Sequence, residues 1–372
     1  MRSGDAEREQ LRTDFVRLCE LPSPSRRERA VADFVAAELR ELGLDVVEDS
    51  SAAETGSDAG NVFARIEAPE GAPTILFCAH LDTVPLTGPI EVTDEGGRFT
   101  NRYDAILGAD NKAAVAGFLG VARRFASGAP TGIELLFTTC EEVALAGAKA
   151  FDRGMLQADF GFVFDHASPI GELIVAAPSY FRVEAELHGR AAHAGIRPED
   201  GRSAIAAAAD ALGRMELGRL DEETTANAGR IEGGTAANVV AERCRLELEA
   251  RSVDQDKATR AVERMIDALT DAASAAECDL ETQVEQLFRG YRLAKTAQPV
   301  AVAAAALERL RIEPLYVATG GGSDASVFNA GGLPCLNVAN GTERNHEPDE
   351  AVTVEALETG LDLALTLVEC SA

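Results

Sequence analysis

The stretch Thr74–Pro85 reads TILFCAHLDTVP and contains the feature that decides the fold. Its residues Ile75–Ala79 form an unbroken run of apolar strand formers, which is typical of a strand buried on both faces. The run ends at His80 and Asp82, and open α/β sheets bind their ligands at the carboxyl ends of such strands. If the strand continues that far, both side chains point to one side, so one could bind a metal while the other orients the ring. A lone core histidine is the alternative.

The size and charge of the chain limit the classes of protein to consider. It has 372 residues, more than one hydrophobic core usually contains, so two domains are expected. Its 62 acidic and 35 basic residues give a net charge of −27, which argues against nucleic acid or an anionic membrane as a partner. No signal peptide or membrane span is predicted. The seven cysteines, odd in number and without a CxxC pair, predict reduced thiols in a cytoplasmic protein.

The order of predicted elements indicates two interleaved domains. Apolar strands alternate with helices in the first half, which predicts an α/β domain with a mostly parallel sheet and helices on both faces. Near Pro178 the pattern changes to the β-α-β-β-α-β order of a ferredoxin-like α+β unit, and the α/β pattern resumes at about Arg292. We therefore predict a discontinuous domain, residues 1–178 and 292–372, with a second domain, residues 179–291, inserted in it.

Two further predictions concern the ends of elements. Ser25 is expected to cap a helix that runs from about Arg26 to Leu42. The segment Gly320–Asp324 is expected to form a glycine turn between two strands.

Acidic residues and a second histidine stand where other strands are predicted to end. Asp110 directly precedes a helix, and Glu141 and Glu142 follow a buried strand. Asp165 ends the next strand, and His346 lies between the last strand and the last helix. The ordinary alternatives are a helix N-cap for Asp110 and a solvated surface for the glutamate pair. Because the strand ends of one sheet meet in one crevice, the residues together predict a metal site.

The ligand types indicate which metals the site suits. Histidine and carboxylate ligands without cysteine suit hydrolytic Zn²⁺, with Co²⁺ and Mn²⁺ as alternatives. The ligands suffice for two ions if one carboxylate bridges them. Glu141 would then be the extra acid that is available as a base.

The motifs occur in the order seen in one known family. The chain resembles the M20 family of dinuclear metallopeptidases, and within it peptidase T and peptidase T-like proteins, over nearly its whole length. The resemblance rests on HLDTVP (His80–Pro85), GADNKAAV (Gly108–Val115), CEEVALAGA (Cys140–Ala148), FDHA (Phe164–Ala167), GRAAHAG (Gly189–Gly195), GGTAANVV (Gly233–Val240), GGGSDAS (Gly320–Ser326) and the late His346.

The resemblance implies a role for each matched position. One metal would bind His80, Asp110 and Asp165. The other would bind Asp110, Glu142 and His346, so that Asp110 bridges the two ions and precedes a cis peptide bond. Asp82 would orient His80, and Glu141 would be the general base that activates a water between the ions.

The inserted domain receives its roles from the same resemblance. It would mediate dimerisation and act as a lid, and His193 would reach the active site of the other subunit to stabilise the oxyanion. Without the resemblance, His193 reads as a surface histidine. His188 is taken as structural, and His166 as either a pocket or a supporting residue.

Four positions are predicted to contact the substrate. Asn238 matches a residue that binds the polar end of the substrate across the dimer. Arg251 matches an arginine that binds a carboxylate, with a surface ion pair as the alternative. Gly321 and Gly322 would present backbone N–H groups to a carboxylate, unless they only form a turn.

The implied function is hydrolysis of small peptides. The leading hypothesis is a dinuclear aminopeptidase for di- or tripeptides that works as a homodimer. An N-acyl amino acid amidohydrolase of the same family is the alternative, because only the pocket would differ. A non-catalytic dimeric binding protein is a third hypothesis, which the intact Glu141 and the five intact ligand positions oppose.

Overall fold

The computed structural model describes residues 2–372. The α-helices of the described residues are α1 (Asp5–Glu20), α2 (Arg29–Glu41), α3 (Ala52–Thr55), α4 (Ala109–Phe125), α5 (Ala146–Ala150), α6 (Ala204–Arg214), α7 (Gln255–Ala275), α8 (Gln298–Leu310), α9 (Asp324–Ala330) and α10 (Val354–Cys370). The strands are β1 (Val46–Glu48), β2 (Val62–Ile66), β3 (Thr74–His80), β4 (Val92–Asp94), β5 (Arg98–Asn101), β6 (Gly132–Thr138), β7 (Phe160–Val163), β8 (Glu172–Ala177), β9 (Ser179–His188), β10 (Gly218–Arg219), β11 (Thr224–Gly233), β12 (Arg243–Ser252), β13 (Asp279–Phe288), β14 (Tyr291–Arg292), β15 (Leu315–Ala318), β16 (Cys335–Val338), β17 (Thr342–Glu343) and β18 (Ala351–Thr353).

The chain forms two compact units. The first unit comprises Met1–Val175, Leu293–Ala318 and Ser323–Ala372, and the second comprises Ala176–Arg292 and Thr319–Gly322. Residues 319–322 thus group with the second unit, whereas the sequence places them in the discontinuous domain. Among residues 2–372, no helix has the length and apolar character needed to cross a membrane.

The first unit is built on a mixed sheet whose centre is parallel. Its strand order is β1-β2-β6-β3-β7-β16-β8, and β6, β3, β7 and β16 run parallel to one another. The strand β3 lies in the middle of this group, and all seven of its residues are buried. The α/β class with a mostly parallel sheet is therefore confirmed, and the stretch Thr74–His80 is its central strand.

Helices cover both faces of this sheet. Neighbouring residues of a strand face opposite sides of the sheet, so the side chains of Phe77 and Cys78 of β3 lie on opposite faces. Phe77 packs against Phe118 of α4, with 5.0 Å between the ring centroids. Cys78 lies 3.6 Å from Asp324 of α9, measured from Sγ to Oδ2. A small second sheet of the same unit has the order β17-β18-β5-β4.

The second unit is an antiparallel sheet covered on one face. Its strand order is β10-β11-β12-β9-β13. Alternate residues such as Val183, Leu187 and Leu246 are buried in one core with Ala207 of α6 and Leu269 of α7. The opposite face consists of charged residues that pair across strands, and we call it the charged face. Its members include Arg182, Glu184, Glu186, Arg230, Arg243, Arg245, Glu247 and Glu285.

Three local predictions differ from the structure. Ser25 does not cap α2, because that helix begins later with Glu28 at its N-cap. The segment Gly320–Asp324 is not only a turn, since Asp324 begins α9. The strand β8 was not predicted, although its apolar run Leu173–Ala177 is a strand signal.

Candidate active site

Three parallel strands deliver ligand-type side chains to one edge of the first unit's sheet. His80 is the last residue of β3 and is 2% exposed. Glu141 and Glu142 lie in the turn that follows β6, and Asp165 lies just beyond β7. Since β6, β3 and β7 are adjacent and parallel, their carboxyl ends lie side by side.

Two further side chains reach this edge from irregular backbone. Asp110 lies in the first turn of α4 but has non-helical backbone angles, φ −81° and ψ 105°, and the Asp110–Asn111 peptide bond is cis. His346 lies between β17 and β18 in the left-handed region, with φ 69°. Neither position follows from helix or strand periodicity.

The carboxylate of Asp110 lies between the two histidines. Its Oδ1 is 3.3 Å from Nε2 of His80, and its Oδ2 is 3.2 Å from Nε2 of His346. A second carboxylate lies near the same ring nitrogen of each histidine. Asp165 Oδ1 is 3.6 Å from His80 Nε2, and Glu142 Oε1 is 2.8 Å from His346 Nε2. The five residues thus form two sets that share Asp110.

The donor atoms of these residues fit divalent metal ions. His80, Asp110 and Asp165 each offer a ligand atom within 4.8 Å of the others, and the same holds for Asp110, Glu142 and His346. Imidazole nitrogen and carboxylate oxygen are donors that Zn²⁺, Co²⁺ and Mn²⁺ accept. A third set of His80, Glu141 and Glu142 meets the same distance limit. Glu141 is therefore close enough to act on a molecule bound at the two ligand sets that share Asp110.

The electrostatics show how strongly the site favours positive charge. Burial alone would raise the pKa of the Asp110 carboxyl, but hydrogen bonds from His346 and His80 hold it well below its usual range. The hydrogen bonds with Asp110 and Glu142 raise the pKa of His346 to about 10. Without a metal, these imidazoles therefore keep protons that a divalent cation would replace.

Glu141 differs from its neighbour Glu142 in environment. Its side chain is buried, and burial together with the charge of Asp165 raises its pKa well above the usual range. A raised pKa makes a carboxylate a stronger base and its acid form a usable donor near neutral pH. Glu142 points instead to His346.

Asp82 holds two parts of the site at once. Its Oδ1 accepts a hydrogen bond from the backbone N–H of Glu141 (2.9 Å), and its Oδ2 accepts from the N–H of Glu142 (3.2 Å) and the hydroxyl of Ser25 (2.7 Å). The ring of His80 faces it as well. Nδ1 of His80 is 3.0 Å from the carbonyl oxygen of Asp82 and 3.5 Å from its carboxylate. Asp82 therefore fixes the glutamate turn in addition to the imidazole.

Sequence reasoning missed Glu28, which supports the same turn. Glu28 is fully buried, and its Oε1 accepts hydrogen bonds from the backbone N–H of Cys140 (3.0 Å) and of Arg26 (2.9 Å). Cys140 directly precedes the glutamate pair and has a positive φ of 54°. Glu28 gives no local signal, because it reads as one acid among the charges before a helix.

Two asparagines missed in the sequence support Asp165. The side chain of Asn111 donates to Oδ1 of Asp165 (3.0 Å) and to the carbonyl oxygen of Phe164 (2.8 Å). The side chain of Asn337, from β16, donates to the carbonyl of Asp165 (2.9 Å) and accepts from its N–H (3.1 Å). The side-chain amide of Asn337 thus binds the backbone N–H and carbonyl of Asp165, which lies beyond the end of β7.

The second unit contains the remaining predicted residues in two clusters. In the first cluster, the backbone N–H of Ala194 donates to the carbonyl of Asn238 (3.0 Å), and His193 forms an isolated bridge with Val239. Both His193 and Asn238 are exposed.

The second cluster surrounds Arg251. Its guanidinium lies 4.0 Å above the ring of Tyr180 and donates to Glu249 (3.0 Å) and to the carbonyl of Gly320 (3.2 Å). A side chain at Gly322 would collide with the ring of Phe288 at 2.4 Å, and the N–H of Gly321 is bonded to the hydroxyl of Thr319 (3.2 Å). The glycine turn and Arg251 are therefore parts of one arrangement.

The two other histidines lie outside the ligand sets. Burial lowers the pKa of His166, and its carbonyl accepts hydrogen bonds from Ser168 and Asn340. His188 ends β9, with Nε2 3.7 Å from Glu281 and 3.8 Å from Glu186.

Comparison with known proteins places this geometry in a family. Residues 76–369 match the family model described as peptidase family M20/M25/M40. The chain is 35% identical over 364 residues to an uncharacterized protein, YqjE, of Bacillus subtilis, covering 97% of this chain and 98% of the relative.

Two solved structures are similar over the whole length. Aminopeptidase PepT from Bacillus cereus is 35% identical with a TM-score of 0.91, and a tripeptidase from Staphylococcus aureus is 31% identical with a TM-score of 0.92. Each comparison covers 98% of both chains. The predicted resemblance to peptidase T is thereby confirmed. The chain therefore belongs to peptidase family M20/M25/M40 and is a metallopeptidase.

Proposed function

We propose that this protein is a dinuclear aminopeptidase that removes the N-terminal residue from small peptides, tripeptides above all. The observation that carries the proposal is the match, over 98% of both chains, to an aminopeptidase and a tripeptidase. Its site offers what such a reaction requires, namely two ligand sets that share Asp110 and a buried acid, Glu141, beside them.

We propose that His80, Asp110 and Asp165 hold one metal ion and that Asp110, Glu142 and His346 hold the other. The donor types support Zn²⁺ first, with Co²⁺ and Mn²⁺ as alternatives. When bound there, such ions would lower the pKa of a water molecule and polarise the scissile carbonyl.

Glu141 is proposed as the general base and acid. Its carboxylate takes the proton of the attacking water, and the carboxylic acid then gives it to the nitrogen of the leaving amine. The raised pKa of Glu141 supports both halves of this transfer. Asp82 holds the backbone N–H groups of Glu141 and Glu142, so the turn that carries the base is fixed before substrate binds.

The proposed active form is a cytoplasmic homodimer. The seven free cysteines are compatible with a reducing compartment. The second unit exposes three isoleucines, Ile196, Ile205 and Ile231, which a second subunit would cover in the proposed dimer. His193 of each subunit is proposed to stabilise the oxyanion at the other subunit's metals. Asn238, Arg251, Gly321 and Gly322 are proposed to contact the substrate.

A side-by-side substrate screen tests the proposal. The enzyme, reconstituted with Zn²⁺, Co²⁺ or Mn²⁺, is given tripeptides, dipeptides, N-acetylated tripeptides and N-acetyl amino acids. We expect tripeptides with a free amino group to be cleaved fastest, into one amino acid and a dipeptide. Faster release of acetate from N-acetyl amino acids would support the amidohydrolase alternative instead. Glu141→Gln is the inactive control in each assay.

Subunit mixing tests the shared site. His193→Ala and Glu141→Gln proteins, each inactive alone, should regain activity when mixed, because a hybrid dimer has one site with both residues intact. Absence of recovery, after subunit exchange has been demonstrated by native mass spectrometry, would overturn the role of His193 across the dimer.

A further inference from the structure

Glu350 contacts the backbone that carries the shared ligand. Its side chain is 1% exposed and lies between His346 and β18. Its Oε2 accepts hydrogen bonds from the backbone N–H groups of Leu107 (2.9 Å) and Gly108 (2.8 Å), and its Oε1 accepts from the N–H of Asp110 (2.9 Å). One buried carboxylate thus binds three N–H groups of a single turn.

The turn needs such an acceptor because it lies outside regular structure. Gly108, with φ 76°, occupies the N-cap position of α4, and no side chain caps the helix there. The first N–H groups of a helix have no partner within it, and Asp110 departs from helical angles as well. The carboxylate of Glu350 fills the place that a capping side chain usually takes.

Glu350 also belongs to the segment that presents the second histidine. Glu350 follows His346 by four residues, and the N–H of Glu350 donates to the carbonyl of Glu347 (3.0 Å). The N–H of Glu347 in turn donates to the carbonyl of Arg344 (3.1 Å). A single compact turn therefore carries one ligand and holds the backbone of another. The two oxygens of Asp110 face different histidines, so any displacement of its backbone alters both ligand sets.

We propose that Glu350 is a positioning residue that sets the place of the shared ligand Asp110 and thereby the affinity for both metal ions. The inference rests on the proposed metal assignment. Glu350→Gln keeps the size of the side chain and one acceptor oxygen, which can serve Leu107 and Gly108. Its NH₂ group would then face the N–H of Asp110, donor against donor, and push that backbone away.

The experiment is a competition titration of the metal-free protein with Zn²⁺, and separately Mn²⁺, against a coloured chelator. Wild type should bind two ions per chain. In Glu350→Gln both dissociation constants should rise, by about 10- to 100-fold, as when other supports of metal ligands are removed. Glu343→Gln is the matched control, since this exposed glutamate of the nearby β17 loses the same charge and pairs only at the surface with Arg98.

Each outcome has one meaning. Loss of affinity at both sites supports the proposal, whereas weakening of only one ion would mean that Glu350 merely holds the His346 turn. A lower melting temperature with unchanged metal affinity would reduce Glu350 to a structural residue and overturn the proposal. Wild type that binds no metal would refute the metal assignment itself. If Glu350→Gln does not fold, Glu350→Asp, which keeps the charge but withdraws the oxygens, is judged by the same two constants.

Discussion

We call the edge of the first unit's sheet that carries His80, Asp110, Glu142, Asp165 and His346 the metal-ligand edge. This edge and the charged face of the second unit are both rich in acids, but the acids have different partners in the two regions. On the charged face the acids Glu184, Glu186, Glu247 and Glu285 each have an arginine beside them. Examples are the pairs Arg245–Glu184 at 2.5 Å and Arg230–Glu247 at 3.1 Å, whose side chains are partly exposed to solvent. At the metal-ligand edge, Asp110, Glu142 and Asp165 are buried or nearly so and face imidazoles and one another.

The difference shows that it is the partners of the acids, rather than their number, that mark a site. Exposed ion pairs contribute little to stability and indicate a solvated surface. Buried acids that outnumber their basic partners are unfavourable unless a further cation joins them. Substitutions in the two regions should therefore differ by orders of magnitude in their effect, and four predictions follow that order.

The largest effect is expected at Glu141. Glu141→Gln should lower kcat by about 10²- to 10⁴-fold, because the base is removed, while two metal ions remain bound. Activity assays and elemental analysis measure the two quantities. The neighbouring Glu142→Gln is the matched control, and it should lose metal. Loss of metal in Glu141→Gln would assign this residue to the third ligand set, with His80 and Glu142, and not to proton transfer.

The next effect concerns metal content. His80→Ala removes an imidazole that only one of the two main ligand sets uses, so the bound metal should fall from two ions per chain to about one. His188→Ala, a histidine of the second unit, should leave the stoichiometry unchanged. Two tightly bound ions in His80→Ala would contradict the assignment of His80 as a ligand.

A smaller effect is expected where the glutamate turn is supported. Glu28→Ala leaves the N–H groups of Cys140 and Arg26 without their acceptor, and the N–H of Cys140 is buried. A buried N–H group without an acceptor costs about 1–3 kcal/mol. We expect a lower free energy of unfolding and about tenfold lower kcat, with metal retained. Glu28→Gln preserves an acceptor oxygen and should restore most of both. Equal losses in the two variants would show that the charge of Glu28, and not its hydrogen bonds, matters.

The smallest effect belongs to the charged face. Arg245→Ala removes an exposed ion pair with Glu184 and should change the free energy of unfolding by less than about 1 kcal/mol, with kcat and metal content unchanged. Urea denaturation and the peptide assay measure this. A loss of activity comparable to that of Glu28→Ala would abolish the contrast between the two regions.

The class of fold and the family can be predicted from the sequence, because both depend on local signals. The apolar run of β3 and its abrupt polar end are recognised from residues adjacent in sequence, and so are the motifs around Asp110, Glu141 and Asp165. The sequence also predicts a helix from about Arg26 to Leu42, which the structure has at Arg29–Glu41.

The residues that support the site through hydrogen bonds could not be predicted from the sequence, because their partners are distant in sequence. Glu350 contacts residues 240 to 243 positions before it, and Glu28 contacts Cys140 across 112 positions. The neighbours of Ser25 predict a helix cap, yet its hydroxyl donates a hydrogen bond to Asp82, 57 positions away. A buried carboxylate that accepts backbone N–H groups has no local pattern, so the sequence shows it only as another acid.

The position of β16 in the sheet has a consequence for how the protein is made. This strand pairs with β7 near the middle of the sheet, but it is translated only after the whole second unit has been synthesised. At about 5–20 residues per second, the ribosome needs roughly 10–40 s to proceed from Asp165 to His346. During that interval the nascent chain carries an unfinished sheet edge and an incomplete ligand set. The sheet and the proposed metal site can therefore be completed only in about the last tenth of synthesis.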